Sequence, residues 1–390
     1  MVTLETADSA LKTVYLGVVG NQLNINANPL LTKIKQTSNN VYGNEIRKAT
    51  SFGISGGVSA GAEDGALPTA FAKGRQHFEA TLKNLYGTIE ITDKAIRCSQ
   101  NNAGAFVNLL NDEMESLIKS STFNLGRMLY GDGSGILGTI NSNTSMDDEY
   151  LPIDNIRNLV TNLGFRFVNA AGSAYIDNKE YYVRHVDKAA KKFSYSAYAE
   201  DDYKNKKIAT LNGLNNEITG LGKIFGDGDT LYGISKTANK WMNPYKQASV
   251  GAISETAIQT AIDEIEEASG SEVDFIACST KVRRAYQEVM SSYKRNIDVM
   301  NLQGGFKALS YNGIPVVADR FVEDDAMYIL STKDFELCQL CDWQWLEGND
   351  GKIIKQKEGY PVFTATLVKY AELLCNRPNA QAKLSGITGA

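Results

Sequence analysis

At 390 residues, with 43% hydrophobic and 22% charged side chains, the chain has ordinary globular composition and exceeds the usual single-domain size, so two or three units with separate cores are expected. No apolar run approaches the roughly 20 residues that span a bilayer. The stretch from Met1 to Leu16 carries Glu5 and Asp8 without the basic flank and cleavage site of a signal peptide, so neither a membrane span nor export is expected.

The residues up to 40 place Leu23, Ile25, Leu30, Leu31 and Ile34 among closely spaced asparagines and Pro29, too weakly patterned to form a core of their own. They predict an arm that packs on something else. Residues 41–91 predict an extended hairpin. One flank runs over 46–54, the glycine-rich acidic tip holds Gly56, Gly57, Gly61, Glu63, Asp64 and Gly65, and the second flank runs over 78–91. In that flank Phe78, Ala80, Leu82, Asn84 and Tyr86 share one alternating face. A structureless loop of this length is improbable in a compact domain, whereas a hairpin reaching a neighbouring molecule accounts for it.

Ala103, Val107, Leu110, Met114, Leu117, Ser121, Leu125 and Met128 recur at three- and four-residue steps and predict a long helix over about 100–130. Leu110, Met114, Leu117 and Leu125 are its core stripe, while Asp112, Glu113, Glu115, Lys119 and Arg127 fall mostly off it. A turn follows at Gly131, Gly133 and Gly135, where glycine permits backbone angles other residues resist. Residues 151–222 then show short alternating runs at 165–168, 181–186, 192–195 and 217–219, which predict a small antiparallel β-domain inserted into the fold. Beyond it Ser254 caps a helix bearing Ala257, Ile258, Ala261, Ile262 and Ile265. A strand at 275–278, a helix at 280–293 and strands at 314–317 and 327–330 follow, making an α+β unit over 223–342. Residues 343–390 are expected to return to the sheet beside the long helix.

Residues suited to chemistry are few. The two histidines, His77 and His185, lie in segments of different character, with neither a nucleophile nor a metal-spaced partner nearby. The five cysteines, Cys98, Cys278, Cys338, Cys341 and Cys375, are an odd number in a long chain and point to reduced thiols. Cys338 and Cys341 have the spacing of half a zinc knuckle or a redox pair, without a second half. The run from Gly131 to Gly138 closes a helix instead of opening one and lacks the Gly-Lys-Ser/Thr ending of a phosphate loop. Asp227-Gly228-Asp229 lacks the remainder of a calcium ladder. A formal net charge of -5 opposes tight phosphate binding. No catalytic residue, cofactor site or metal ligand is expected, and the chain is not expected to be an enzyme.

The order of these elements resembles the major capsid proteins of tailed bacteriophages, the HK97-like α+β fold, over nearly the whole chain. The correspondence is an N-terminal arm (1–40), an E-loop hairpin (41–91), a peripheral domain built on the spine helix (92–150), an axial domain (223–342) and a C-terminal return to the peripheral domain (343–390). The inserted β-rich domain (151–222) lies outside the minimal fold. Leu129-Tyr130-Gly131-Asp132-Gly133-Ser134-Gly135, Tyr311-Asn312-Gly313-Ile314-Pro315-Val316-Val317 and Arg377-Pro378 are local phrases similar to the family's.

The resemblance implies self-assembly into hexamers and pentamers of an icosahedral shell around double-stranded DNA, touched non-specifically. It implies a virion protein assembled in the bacterial cytoplasm. Expected partners are further copies of the chain, a portal, decoration or head-closure proteins, and a separate scaffolding protein, since no helical scaffolding segment is visible. Glu63, Asp64, Lys73 and Arg75 on the hairpin are expected to form ion pairs with adjacent subunits. Some shells of the family cross-link lysine to asparagine; Lys73 lies in the corresponding part of the loop, without an identifiable acid or acceptor. The alternative within the same fold is an encapsulin-like compartment holding cargo enzymes. An α+β enzyme or a secreted β-rich binding module are the competing classes.

Overall fold

The computed structural model describes residues 23, 28–54, 56–94, 103–141, 150–197, 203–292, 299–301 and 307–388, with side chains described for these except 103–111, 292, 299–301 and 307. Its longest element is the helix α1 (Ala103–Tyr130), 28 residues and therefore about 42 Å from end to end. Met114, Leu117 and Leu125 are buried along one stripe, as the spacing requires, and Leu129 and Tyr130 continue it. Leu110 belongs to the same helix, but its side chain lies outside the described ones. Glu115 and Lys119 are exposed and pair one turn apart at 2.6 Å. Arg127 departs from the expected pattern, being only 3% exposed.

Under α1 lies the peripheral sheet. Its central strand, Val362–Cys375, is flanked by Lys83–Thr92 on one side and by Phe335–Trp345 with Lys355–Gln356 on the other, all antiparallel. Leu85, Gly87, Ile89 and Ile91 point inward. Gly87 has to be glycine because a Cβ there would stand 2.6 Å from the Cδ1 of Leu117. The alternation expected from Phe78 through Tyr86 slips by one residue at Leu82, so Asn84 and Tyr86 face solvent. At that residue the chain leaves the hairpin pair and enters the peripheral sheet, and each sheet sets its own phase.

The axial sheet has seven strands in the order 245–247, 381–384, 327–330, 275–278, 314–318, 307–311 and 299–301. One face is covered by α2 (Glu255–Ser269) and α3 (Thr280–Ser292). Ser254 caps α2 by accepting from the Ala257 N–H, and Gly270 ends it with a left-handed φ of 65°. The C-terminal segment differs from expectation. Residues 362–375 return to the peripheral sheet, but Gln381–Leu384 crosses into the middle of the axial one.

The inserted unit is a six-stranded, wholly antiparallel sheet. Its core is aromatic: Phe165, Phe167, Tyr181, Phe193 and Tyr195 interlock, and the ring of Phe167 stacks on Tyr203 at 3.7 Å. Two expectations are corrected here. The sheet begins at Ile136–Thr139, before residue 151, and residues 217–219 form no strand. Glu217 is instead buried in an ion pair.

That pair sits in the neck joining insert to body. Arg127 Nη1 donates to Glu217 Oε2 at 2.8 Å, Arg127 Nη2 to Glu217 Oε1, and Thr210 Oγ1 donates to Glu217 Oε1 at 2.8 Å. The chain leaves through Gly131, Gly133 and Gly135, the last two at φ 82° and 75°, and a Cβ on Gly135 would meet the Gly213 carbonyl oxygen at 2.3 Å. Backbone therefore packs on backbone where the segments cross. Beside it Glu372, on the central strand, accepts from the N–H groups of Thr219 and Leu373. It has no ion pair among the described residues, and burial pushes its carboxyl up to about 7.

Replacing Leu117 by Ala is expected to cost about 2 to 5 kcal/mol in urea unfolding of the unassembled subunit, since the cavity opens between helix and sheet. A second expectation concerns pH. The Glu372 carboxyl holds its proton more tightly folded than unfolded, so its contribution is complete below its ordinary value of 4.5 and is lost as pH rises through about 7. Glu372→Gln should remove that dependence, the variant gaining roughly 3 kcal/mol on the parent between pH 4.5 and 7.5. Parallel stability curves for the two proteins would show that Glu372 titrates normally.

Candidate assembly surfaces

The hairpin strands Glu45–Phe52 and Gly74–Thr81 pair without interruption from Glu45 opposite Thr81 to Phe52 opposite Gly74. Their stem is clamped to the body. Ile46 and Phe78 are fully buried; Phe78 meets Tyr232 edge to face at 5.6 Å, and Phe52 stacks on Trp241 at 5.1 Å. Lys48 pairs with Glu336 at 2.8 Å, and the Glu79 N–H donates to the Tyr232 carbonyl. Beyond the stem, described residues between Gly53 and Lys73 belong to no strand. There Ile54, Val58 and Leu67 are 92%, 93% and 90% exposed and Phe71 68%. Four large apolar side chains in water are a surface built for contact. Sequence reasoning passed over them, although apolar residues scattered through a Gly/Ala/Ser background were the available signal.

The four hairpin charges sit along this tip and its return strand. Glu63, Asp64, Lys73 and Arg75 are all exposed, and none forms an ion pair among the described residues. The fold brings them to one projecting element without pairing them with each other.

The arm behaves differently from expectation where it is described. Leu23, Leu30, Leu31 and Ile34 are buried in the subunit's own core with α1. The Asn28 side chain explains the anchorage: its amide donates to Asp319 at 2.6 Å and its oxygen accepts from the Leu30 N–H. Lys35–Thr37 then adds in parallel to Phe335–Trp345. Gln36 accepts from Lys369 Nζ at 2.9 Å, while Lys369 also pairs with Asp342 at 3.0 Å. Burial lowers the Lys369 pKa. Residues 1–22 and 24–27, including Ile25, lie outside the described residues.

The remaining sequence candidates are dispersed. His77 is exposed on the hairpin and His185 on the insert, its ring edge-on to Tyr150. Cys338 is buried, which pushes its thiol up to about 11, and Cys341 is half-buried; Cys98 lies outside the described residues. Asp229 accepts from the Thr237 N–H and the Ser235 hydroxyl, and Asp227 pairs with Lys246. No group of three potential metal ligands occurs among the described residues.

No protein-family model and no curated protein matches the sequence. Among solved structures, the chain is similar to the capsid asymmetric unit of cyanophage A-1(L), with a TM-score of 0.57 and 11% identity over 96% of this chain and 93% of that one. Lower scores relate it to the capsid of the native GTA particle (0.49, 11% identity, 93% and 91% covered) and to the holo-SrpI encapsulin complex of Synechococcus elongatus (0.44, 10% identity, 91% and 85% covered). With its long hairpin, its 28-residue helix and its two large mixed sheets, the chain has an HK97-like α+β fold.

Proposed function

We propose that this chain is the shell-forming subunit of a tailed-phage head, assembling with its own copies into hexamers and pentamers around double-stranded DNA. One observation carries the reading: a clamped stem projects a tip on which Ile54, Val58, Leu67 and Phe71 face water. Covering such a surface releases hydration free energy in proportion to the apolar area removed from water, and a neighbouring copy is the cover that repeats around a closed shell. The likeness to a cyanophage capsid supports the same assignment. Glu63, Asp64, Lys73 and Arg75 then pair across the contact, each contributing about 0.2 to 1 kcal/mol but repeated in every copy. A formal net charge of -5 suits a wall that tolerates DNA without gripping it. A portal, a scaffolding protein and decoration or head-closure proteins complete the partners. The site of action is the virion, after assembly in a reducing bacterial cytoplasm, and no catalytic step is assigned.

Negative-stain electron microscopy of the high-speed pellet, with genomic neighbours co-expressed, should show uniform closed particles. Ile54→Ser, Val58→Ser and Leu67→Ser combined should give a subunit with parental circular dichroism and melting that no longer closes shells. Only small compact particles from the parent would overturn the reading, and particles filled with a protein cargo would assign the encapsulin-like alternative.

A further inference from the structure

Helices α2 and α3 cover the same face of the axial sheet, α2 against strands 245–247 and 381–384 and α3 against strand 314–318. Helix α2 also reaches strand 307–311, where the Tyr311 hydroxyl donates to Gln259 at 2.9 Å, so the two helices lie on one face with different strands beneath their main contacts. Ile258, Ala261, Ile262 and Ile265 of α2, and Val282, Ala285 and Tyr286 of α3, are spent on the core.

The outward faces have opposite charge. Asp263, Glu264, Glu266 and Glu267 are exposed in the second half of α2, whose 15 residues include no Lys or Arg. Lys281 and Arg284 are exposed at the start of α3 and Arg283 beside them is half-buried, with Glu288 the helix's one acid. Both placements oppose local electrostatics. A helix is partially negative at its C-terminal end and partially positive at its N-terminal end, so acids late in α2 and cations early in α3 each weaken their own helix.

The subunit offsets part of this, since the Arg377 guanidinium donates to the Ser269 carbonyl at the end of α2. Lys281 pairs with Asp324 at 2.8 Å, and Asp263 accepts from Gln259 at 2.7 Å. Glu264, Glu266, Glu267, Arg283 and Arg284 form no ion pair among the described residues. Along the chain the strand Phe275–Cys278 lies between the acidic helix end and the basic helix start.

We infer that the acidic face of α2 on one copy docks against the basic start of α3 on the next copy around each ring. A ring is built from head-to-tail contacts, which join two different patches of one subunit, and patches of opposite sign on two different helices meet that requirement. The inference rests on the shell reading above and adds to it an electrostatic contact separate from the apolar hairpin tip.

The test uses the full chain with E264K/E267K, R283E/R284E and the combined four-site variant. Each one-sided reversal should lower closed-particle yield by about tenfold or more at unchanged circular dichroism and melting temperature, and the combined variant should recover to within about twofold. Native mass spectrometry should show neither one-sided variant forming rings alone, whereas an equimolar mixture forms even-numbered 1:1 rings, because only alternating neighbours then match. One-sided variants that assemble like the parent overturn the contact, as does a folded combined variant that stays unassembled. Normal R283E/R284E shells with less DNA would overturn it too, assigning the basic face to the genome. A parent that forms no particles counts against the shell reading, while the mixture experiment still decides the pairing.

Discussion

Arg127 and Glu217 are 3% exposed and nearly side by side in a place where four chain segments cross. Neither charge could remain there alone, since removing one partner of a buried pair leaves an ion without water and costs about 3 to 5 kcal/mol. The pair therefore obliges the end of α1 and the segment returning from the insert to meet at one register. The glycines around it make that register sterically possible, and Thr210 donates a third hydrogen bond to Glu217. With the neck fixed, the insert becomes an extension of the long helix. With the helix fixed, Leu117 lies on Gly87 and aligns the strand from which the hairpin departs.

The hairpin divides physically at Phe52 and Gly74. Behind that line the stem is held by the same chain: Phe78 by Tyr232, Phe52 by Trp241, and the Lys48 ammonium by Glu336. Ahead of it Ile54, Val58 and Leu67 are exposed. The result is a rigid handle with an uncommitted tip, so that direction is set by the subunit while the gain from burying the tip is left to association. An entirely mobile loop would lose more conformational entropy on docking.

Elements whose information is local were legible in the sequence. The stripe from Met114 to Leu125 specified α1, Ser254 marked the start of α2, and the runs near 165, 181 and 192 fell where strands formed. What was illegible depended on partners distant in the chain. Arg127 looked like a surface residue because its counter-ion lies 90 positions away, and the short run at 217–219 resembled a strand only while that ion pair was unknown. Leu82 marks a change of sheet, which no period of two can announce. The candidate site was legible as a segment and less so as residues: the charges at 63, 64, 73 and 75 were visible as charges, whereas the exposure of Ile54, Val58 and Leu67 depended on where the stem's cover stops.

Gln381–Leu384 lies between strands 245–247 and 327–330, inside the axial sheet and not at its rim. Translation delivers these residues roughly a hundred positions after Phe275–Cys278, at a pace of a few to some twenty residues per second. Until they are made, strand 245–247 lacks the one strand it pairs with among the described residues. Synthesis order therefore completes last the edge of this sheet and the flank of α2 that packs on it.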